Sequence, residues 1–443
     1  MTRGVEGSNA VVTTRTGVNT SGAQPPMQER DGSARRSFRP AGSIVLLASL
    51  AASFLATSSA PTPLYAVYGR DWHLTAANTS VVFGVYALSL LAGLLVLGRL
   101  SDHIGRRPTL GAAIATQIVA MAVFATAEGL SGLLVGRVLQ GLSTGAGLAA
   151  VGAALLDVDS RRGTIANTVA PPAGSALGAL AAALAVQFLP APTRVIYVLL
   201  AVVLIMQGLA VIRVRETAAR KPGALASMRP ELRLPPEVRR DFVAAAPVLF
   251  AVWAFSGLLG SLGPALVHGL SGSGSVVYGV LPLTVIGIVS PVTAYLLRTA
   301  RPRACLVLGI ATLTVGVATI VVAVLLSSAP LLCGAAVVAG IGFGSGFRGG
   351  IQLVLPAVAP AERAGTLSLL YIVSYLGFGV PAILAGVIDQ ATGNLNATTL
   401  GYAAVLIVLA LLAIAALRRS PRHQLRPPQK EDRHGARHEA AAA

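Results

Sequence analysis

Charge is scarce in this chain. Only 12% of its 443 residues are Asp, Glu, Lys or Arg, about half the usual share for a soluble domain. A water-soluble globule of this length would need more polar surface, so that class is excluded. Disorder over most of the chain is excluded too, because it requires low hydrophobicity and high charge. Acids are the scarcest charges, with 17 Asp and Glu against 34 Lys and Arg, which leaves a net charge of +17. Cysteine is nearly absent. Cys305 and Cys333 fall near the starts of successive apolar blocks, hence toward opposite membrane faces, and a disulfide framework is excluded. The six histidines lie in loops, tails or block ends. No His-Glu-x-x-His zinc motif and no Gly-x-x-x-x-Gly-Lys phosphate loop occurs, which argues against a membrane protease and against direct ATP hydrolysis.

Apolar residues are plentiful. They make up 54% of the chain, and the mean hydropathy is +0.73. They come in long blocks without charge, such as Val81 to Leu97 and Val195 to Ile212. Blocks of this kind approach the ~20 residues a helix needs to cross ~30 Å of hydrocarbon. Twelve spans are expected, near 41–66, 78–99, 107–128, 130–156, 163–188, 193–213, 241–268, 275–298, 303–326, 330–356, 364–388 and 399–418. Residues 1–40 are polar and aperiodic and read as a disordered tail rather than a cleavable signal. Residues 419–443 form a second polar tail.

The basic residues concentrate in alternate loops. Arg106 and Arg107 follow span 2, Arg161 and Arg162 span 4, Arg298, Arg301 and Arg303 span 8, and Arg363 span 10. The intervening loops hold only Arg70 and Arg194. This pattern orients a membrane protein, so the net charge is no sign of nucleic-acid binding. It puts the arginine loops and both termini in the cytoplasm, in a plasma membrane. Segment 214–240 is the longest interior loop, rich in Arg and Pro, and reads as a solvated linker between six-span halves 41–213 and 241–418. Near-equal halves suggest an internal repeat. One trace is visible: Gly105 to Pro108 opens span 3, Ala300 to Arg303 opens span 9, and each leads into Ile-Ala-Thr, at Ile114 to Thr116 and Ile310 to Thr312. The expected fold is an all-α membrane protein, twelve transmembrane helices in two pseudo-symmetric six-helix bundles.

The most specific motif lies between spans 2 and 3, where Gly98 and Asp102 are followed by His103, Gly105, Arg106 and Arg107. Gly98 and Asp102 share a helix face, Gly105 suits a tight turn, and Pro108 suits the first turn of span 3. A plain positive-inside hairpin explains the arginines but not an acid at this spacing from two glycines. The motif resembles the Gly-x-x-x-Asp-Arg/Lys-x-Gly-Arg-Arg/Lys signature of the major facilitator superfamily, with His103 in place of the usual strong base. The resemblance, which covers about 41–418, implies a secondary carrier. It also implies that Asp102 works in a cytoplasmic gate, and we expect it to face the start of span 11, near Ala364 to Thr366.

Span 4 carries Arg137, Gln140 and Gly141, similar to the family's Arg-x-x-Gln-Gly pattern. A charge inside a span costs at least ~2.5 kcal/mol, so Arg137 should face a cavity or a partner rather than snorkel. Gly141 and Gly145 make a small-residue face for helix packing. Span 5 carries Pro171 and Gly174, part of the Gly-Pro-x-x-Gly-Gly element of the family's drug/proton antiporters; a plain proline kink is the alternative. In span 10, Arg348 either faces the pathway or snorkels to the rim. Asn167, Trp253, Phe255, Gln352, Tyr371 and Tyr375 are further pathway candidates, although packing is the commoner role of a membrane aromatic. Acids such as Asp71, Asp102, Glu128, Asp157 and Asp389 sit at span ends and none at mid-span, which leaves proton coupling open. No catalytic residue, cofactor or metal is expected. The reading is a monomeric carrier with the lipid bilayer and a small molecule as its partners. Export of amphipathic drugs or metabolites comes first; a carrier of small organic anions, using Arg137 and Arg348, is the alternative.

Overall fold

The computed structural model describes residues 40–359 and 362–419. Apart from Pro40 and Arg419, the two polar tails lie outside these residues. Sixteen α-helices occur among the described residues. The first half holds α1 (Pro40–Ser59), α2 (Pro61–Trp72), α3 (Ala76–Leu97), α4 (Ser101–Ile104), α5 (Arg106–Ala125), α6 (Leu130–Val158), α7 (Ser160–Phe188) and α8 (Pro192–Val211). The short α9 (Ala224–Ser227) lies in the linker. The second half holds α10 (Arg239–Ser261), α11 (Gly263–Ser271), α12 (Val276–Leu296), α13 (Pro302–Leu325), α14 (Ala329–Val354), α15 (Arg363–Thr392) and α16 (Leu395–Arg419).

Twelve spans among these residues are long and apolar enough to cross a membrane. Their ends mostly fall within a few residues of the expected ones. The first is longer, because its helix breaks at Ala60 and resumes as α2 to Trp72. Only helices satisfy every backbone group in hydrocarbon without a closed sheet. Three of their starts are capped by polar side chains that take free N–H groups: Thr75 accepts from Asn78, Asp159 from Arg162 and Ser275 from Tyr278.

The two bundles repeat one packing plan. In the first, α1 packs on α6 and α7, α3 on α6, and α5 on α6 and α8. In the second, α10 packs on α14 and α15, α12 on α14, and α13 on α14 and α16. The Ile-Ala-Thr trace falls on matching faces. Ile114 and Ile310 are both buried, and Thr116 and Thr312 each donate to the carbonyl four residues back. The first helix of each half is broken, at Ala60 before Pro61 and at Leu262 before Pro264.

The halves meet along α3 with α15 and along α7 with α12. Backbones approach closely there because glycines leave room. A Cβ on Gly379 would lie 3.1 Å from that of Ala87, and one on Gly287 would lie 2.8 Å from the Pro172 carbonyl. Along α7 and α12 the seam is packed from Gln187 and Ser275 to Pro172 and Gly287. Beyond these, toward the face that carries the arginine loops, Ile165, Val292, Tyr295 and Leu296 are exposed.

Pro171 and Gly174 lie within α7. Gly174 presses on α1, where any Cβ would collide with the Ala52 carbonyl. Gly174→Leu should therefore destabilise the protein by at least ~1–3 kcal/mol, as overpacking does. Gly111→Leu, at a position with no neighbour within 4 Å, should leave stability close to that of the parent. Thermal unfolding of detergent-solubilised protein separates the two.

Candidate functional site

Two polar clusters and one aromatic cluster contain most of the residues singled out by the sequence. The first polar cluster surrounds Arg137, which is only 1% exposed. Pro61 has no N–H, so the helix break leaves the Thr57 carbonyl without its usual donor. Gln140 Nε2 donates to that carbonyl at 2.9 Å. Arg137 donates to the Ser58 carbonyl at 2.8 Å, to Gln140 Oε1 at 2.7 Å and to the Tyr65 hydroxyl. Its guanidinium carbon lies 5.2 Å from the Tyr86 ring centroid and 5.8 Å from that of Tyr65. The C-terminal carbonyls of α1 carry partial negative charge, and ring faces attract cations. The charge is thus compensated without any acid. Of the two expected roles, Arg137 takes the partner.

The second cluster joins the α3–α5 hairpin to the linker. Gly105 has φ +103°, a conformation suited to glycine, and a Cβ there would also come within 2.8 Å of Glu216 Oε2. The Glu216 carboxylate accepts from the backbone N–H of Arg106 at 2.8 Å and of Arg107 at 2.9 Å. It caps α5 from a segment about 110 residues away. It also accepts from Thr217 and Ala218. Partial burial pushes this carboxyl up, but the four N–H donors outweigh burial and hold it below its ordinary value. Arg106 pairs with Asp102 and, at 3.1 Å, with Asp157, which also accepts from Thr217. The Lys221 N–H donates to the His103 carbonyl at 2.8 Å, and His103 Nδ1 lies 3.3 Å from the Arg99 carbonyl. Gly98 ends α3.

The expected contact between Asp102 and the start of span 11 is not the one formed. Asp102 pairs with Arg106, and the linker occupies the space beside the start of α15. Arg99 pairs with Glu231, Thr366 donates to the Arg233 carbonyl at 3.0 Å, and Gly365 abuts the Arg233 backbone. The linker therefore straps the end of α3 to the start of α15.

The third cluster lies where the halves meet. Trp253 on α10 is surrounded by Phe343 and Phe347 of α14 and Tyr375 and Phe378 of α15, with ring centroids 4.8–5.6 Å away. Phe378 touches Phe83 of α3, and Tyr371 stands 6.3 Å from Tyr375. Trp253, Phe343, Phe347 and Tyr371 remain partly exposed. Trp253 Nε1 is buried without a hydrogen-bond partner.

The remaining candidates divide. Arg348 donates to the Leu297 carbonyl at 3.1 Å and to that of Arg298, so it caps the C-terminus of α12 at the rim and does not enter the pathway. Asn167 donates to the Gly152 carbonyl at 3.1 Å and ties α7 to α6. Phe255, a pathway candidate from sequence, is 2% exposed in the core of the second bundle, because it lies on the opposite side of α10 from Trp253. Gln352 is half-buried. Gly141 packs against α3, with Leu90 N 2.8 Å from a would-be Cβ. The sequence reading missed Tyr65, Glu216, Phe343, Phe347 and Phe378. Signals existed for some of them: the Pro61 to Pro63 break beside Tyr65, and the i,i+4 spacing of Phe343 and Phe347.

The sequence pattern of the Major Facilitator Superfamily matches residues 45–366 and 287–441. The chain belongs to this superfamily. Among curated proteins it is similar to the inner membrane transport protein YnfM of Escherichia coli (strain K12), 36% identical over 90 residues. That match covers 20% of this chain and 21% of the relative. Among solved structures, a bacterial homolog of the human lysosomal transporter Spinster, inward-facing and occupied, superposes with a TM-score of 0.70. It is 14% identical and covers 88% of this chain and 100% of its own. The nucleoside transporter NupG gives a TM-score of 0.67 at 11% identity, over 84% of this chain and 99% of its own. At these identities the structures show a shared fold. The chain is thus a multi-pass membrane transporter of that superfamily.

Arg137→Ala would leave the Ser58 carbonyl and the Gln140 and Tyr65 side chains without their donor. A loss of on the order of 3 kcal/mol is expected, read as a lower unfolding temperature in detergent. Glu216 should act through pH. Its carboxyl is held down in the folded state, so its contribution is present above the unfolded value of ~4.3 and is lost as pH falls through the lower folded value. Glu216→Gln should lower stability near neutral pH and flatten that part of the acid dependence.

Proposed function

We propose that this superfamily member is a secondary exporter of amphipathic, ring-bearing drugs or metabolites. The observation that carries the reading is the aromatic cluster around Trp253, set between the halves with several rings partly open. Flat apolar rings suit stacking on such a surface. The alternative, small organic anions held by Arg137 and Arg348, is disfavoured by geometry. Arg137 is engaged by α1, α2 and Gln140, and Arg348 caps α12 at the rim.

The arginine-rich face is the cytoplasmic one in this reading, by the positive-inside rule, and both termini lie on that side of the plasma membrane. The seam of α7 and α12 is packed from Gln187 and Ser275 to Pro172 and Gly287. Alternation would shift the glycine contacts of that seam together with the motif hairpin and its strap at the arginine-rich face. Asp102, Arg106 and Asp157 then hold the hairpin, and Arg99, Glu231 and Thr366 join it to the second half. Both halves of the pathway come from one chain, which suits a monomer. Proton coupling would have to draw on acids at the span ends.

Purified protein in proteoliposomes, with and without a pH gradient, tests this. Dye-like cations, neutral ring-bearing antibiotics and small organic anions are offered in turn. Protein-dependent flux of the ring-bearing compounds is expected, with Trp253→Ala weakening their binding about ten-fold through lost stacking. Flux confined to anions and abolished by Arg137→Ala would replace this reading with the anion carrier.

A further inference from the structure

A cleft of about 460 Å³ opens between α5 and α8 at the arginine-rich face. Arg107, Gly111, Gly208, Ile212, Glu216 and Arg220 are among its walls. Neither the aromatic pathway nor the Arg137 cluster touches it. We propose that this cleft binds one anionic phospholipid, with the phosphodiester between Arg107 and Arg220 and the start of an acyl chain over Gly111 and Gly208.

Charge is the first argument. Arg107 donates one guanidinium bond, to the Ile212 carbonyl at 2.6 Å, and its other donors remain for a ligand. Arg220 is exposed and has no acidic partner among the described residues. Glu216 is the one acid in the wall, and its oxygens are occupied by backbone N–H groups. Two guanidiniums and one carboxylate leave a formal +1, which a single phosphodiester neutralises. Guanidinium groups bind phosphate oxygens through paired hydrogen bonds.

Shape is the second. Gly111 lies four residues after Arg107, about 6 Å along the helix, and nothing stands within 4 Å of the place its Cβ would take. Gly208 faces the cleft from α8, with Ile114 Cγ2 3.3 Å from its would-be Cβ. The paired glycines cut a groove between the helices below the arginines. Position is the third. Met206 and Leu209 on α8, Ile212 just past its end and Val119 on α5 are exposed apolar residues, so this flank faces hydrocarbon. A groove of that kind, with cations at its mouth, matches a lipid in shape and charge order. A free anion would fill only the mouth.

The test uses the full chain in detergent and follows unfolding temperature and bound lipid, the latter by native mass spectrometry. Phosphatidylglycerol, phosphatidylcholine and inorganic phosphate are added separately. One retained phosphatidylglycerol and a rise in unfolding temperature are expected, with little effect of phosphatidylcholine or phosphate. Arg220→Gln should weaken phosphatidylglycerol binding about five-fold, the worth of one interfacial cation. Gly111→Leu fills the groove at an open position, so it should unfold like the parent without lipid and lose the lipid-induced rise. Equal stabilisation by phosphatidylcholine or by phosphate would overturn the proposal. So would a full response to phosphatidylglycerol in both variants.

Discussion

Hydrocarbon leaves no peptide carbonyl without a donor at low cost, and the first bundle is organised around that constraint. Pro61 breaks the first span and strips a donor from Thr57. Gln140 restores that bond, and Arg137 serves the next carbonyl, that of Ser58. A buried guanidinium is itself expensive, and here the broken helix end, the Tyr65 hydroxyl and the ring faces meet the cost together. The broken helix and the arginine are therefore each the partner the other needs. The arrangement also pins α1, α2 and α6 to one another at a point deep in the span.

The same economy governs the arginine-rich face. Gly105 has no side chain to cap α5, so the first N–H groups of that helix lack a local acceptor, and Glu216 reaches them from the linker. The acid can sit there because Gly105 has no side chain. From that anchor the linker runs past His103 to Glu231 and Arg233, where it meets α3 and α15 at once. A segment that joins the halves covalently thus also joins them by contact, so relative motion of the halves must stretch or release those bonds.

Much of the fold was legible because bilayer thickness constrains local sequence. Twelve apolar blocks, alternating arginine loops and the motif from Gly98 to Arg107 each report over a few tens of residues. The Ile-Ala-Thr trace marked two equivalent helices whose isoleucines do share a buried face. The site was less legible because its partners are distant in sequence. Nothing near Arg107 announces Glu216, and Asp102 was assigned to span 11 because the linker's path is invisible in composition. Arg348 could be read either way until the carbonyls of Leu297 and Arg298 were placed beside it. Phe255 and Trp253 lie two residues apart, roughly 200° around a helix, so one faces the core and the other the rings. Sequence names both aromatics and cannot say which is which without the bundle axis.

The two bundles share a packing plan but spend their polar and aromatic residues differently. In the first, Arg137, Gln140 and Asn167 are committed to backbone carbonyls, so the positions that look most able to bind an ion already hold the protein together. In the second, the facing sides of α10, α14 and α15 carry rings. An aromatic surface can exchange one flat apolar partner for another without leaving a charge unpaired, whereas an arginine freed from its carbonyls would leave both itself and them unsatisfied. The rings of the second bundle are therefore the part of the interior that a passing molecule can engage at least cost. The arginine of the first bundle is not such a part, because α1, α2 and Gln140 already hold it.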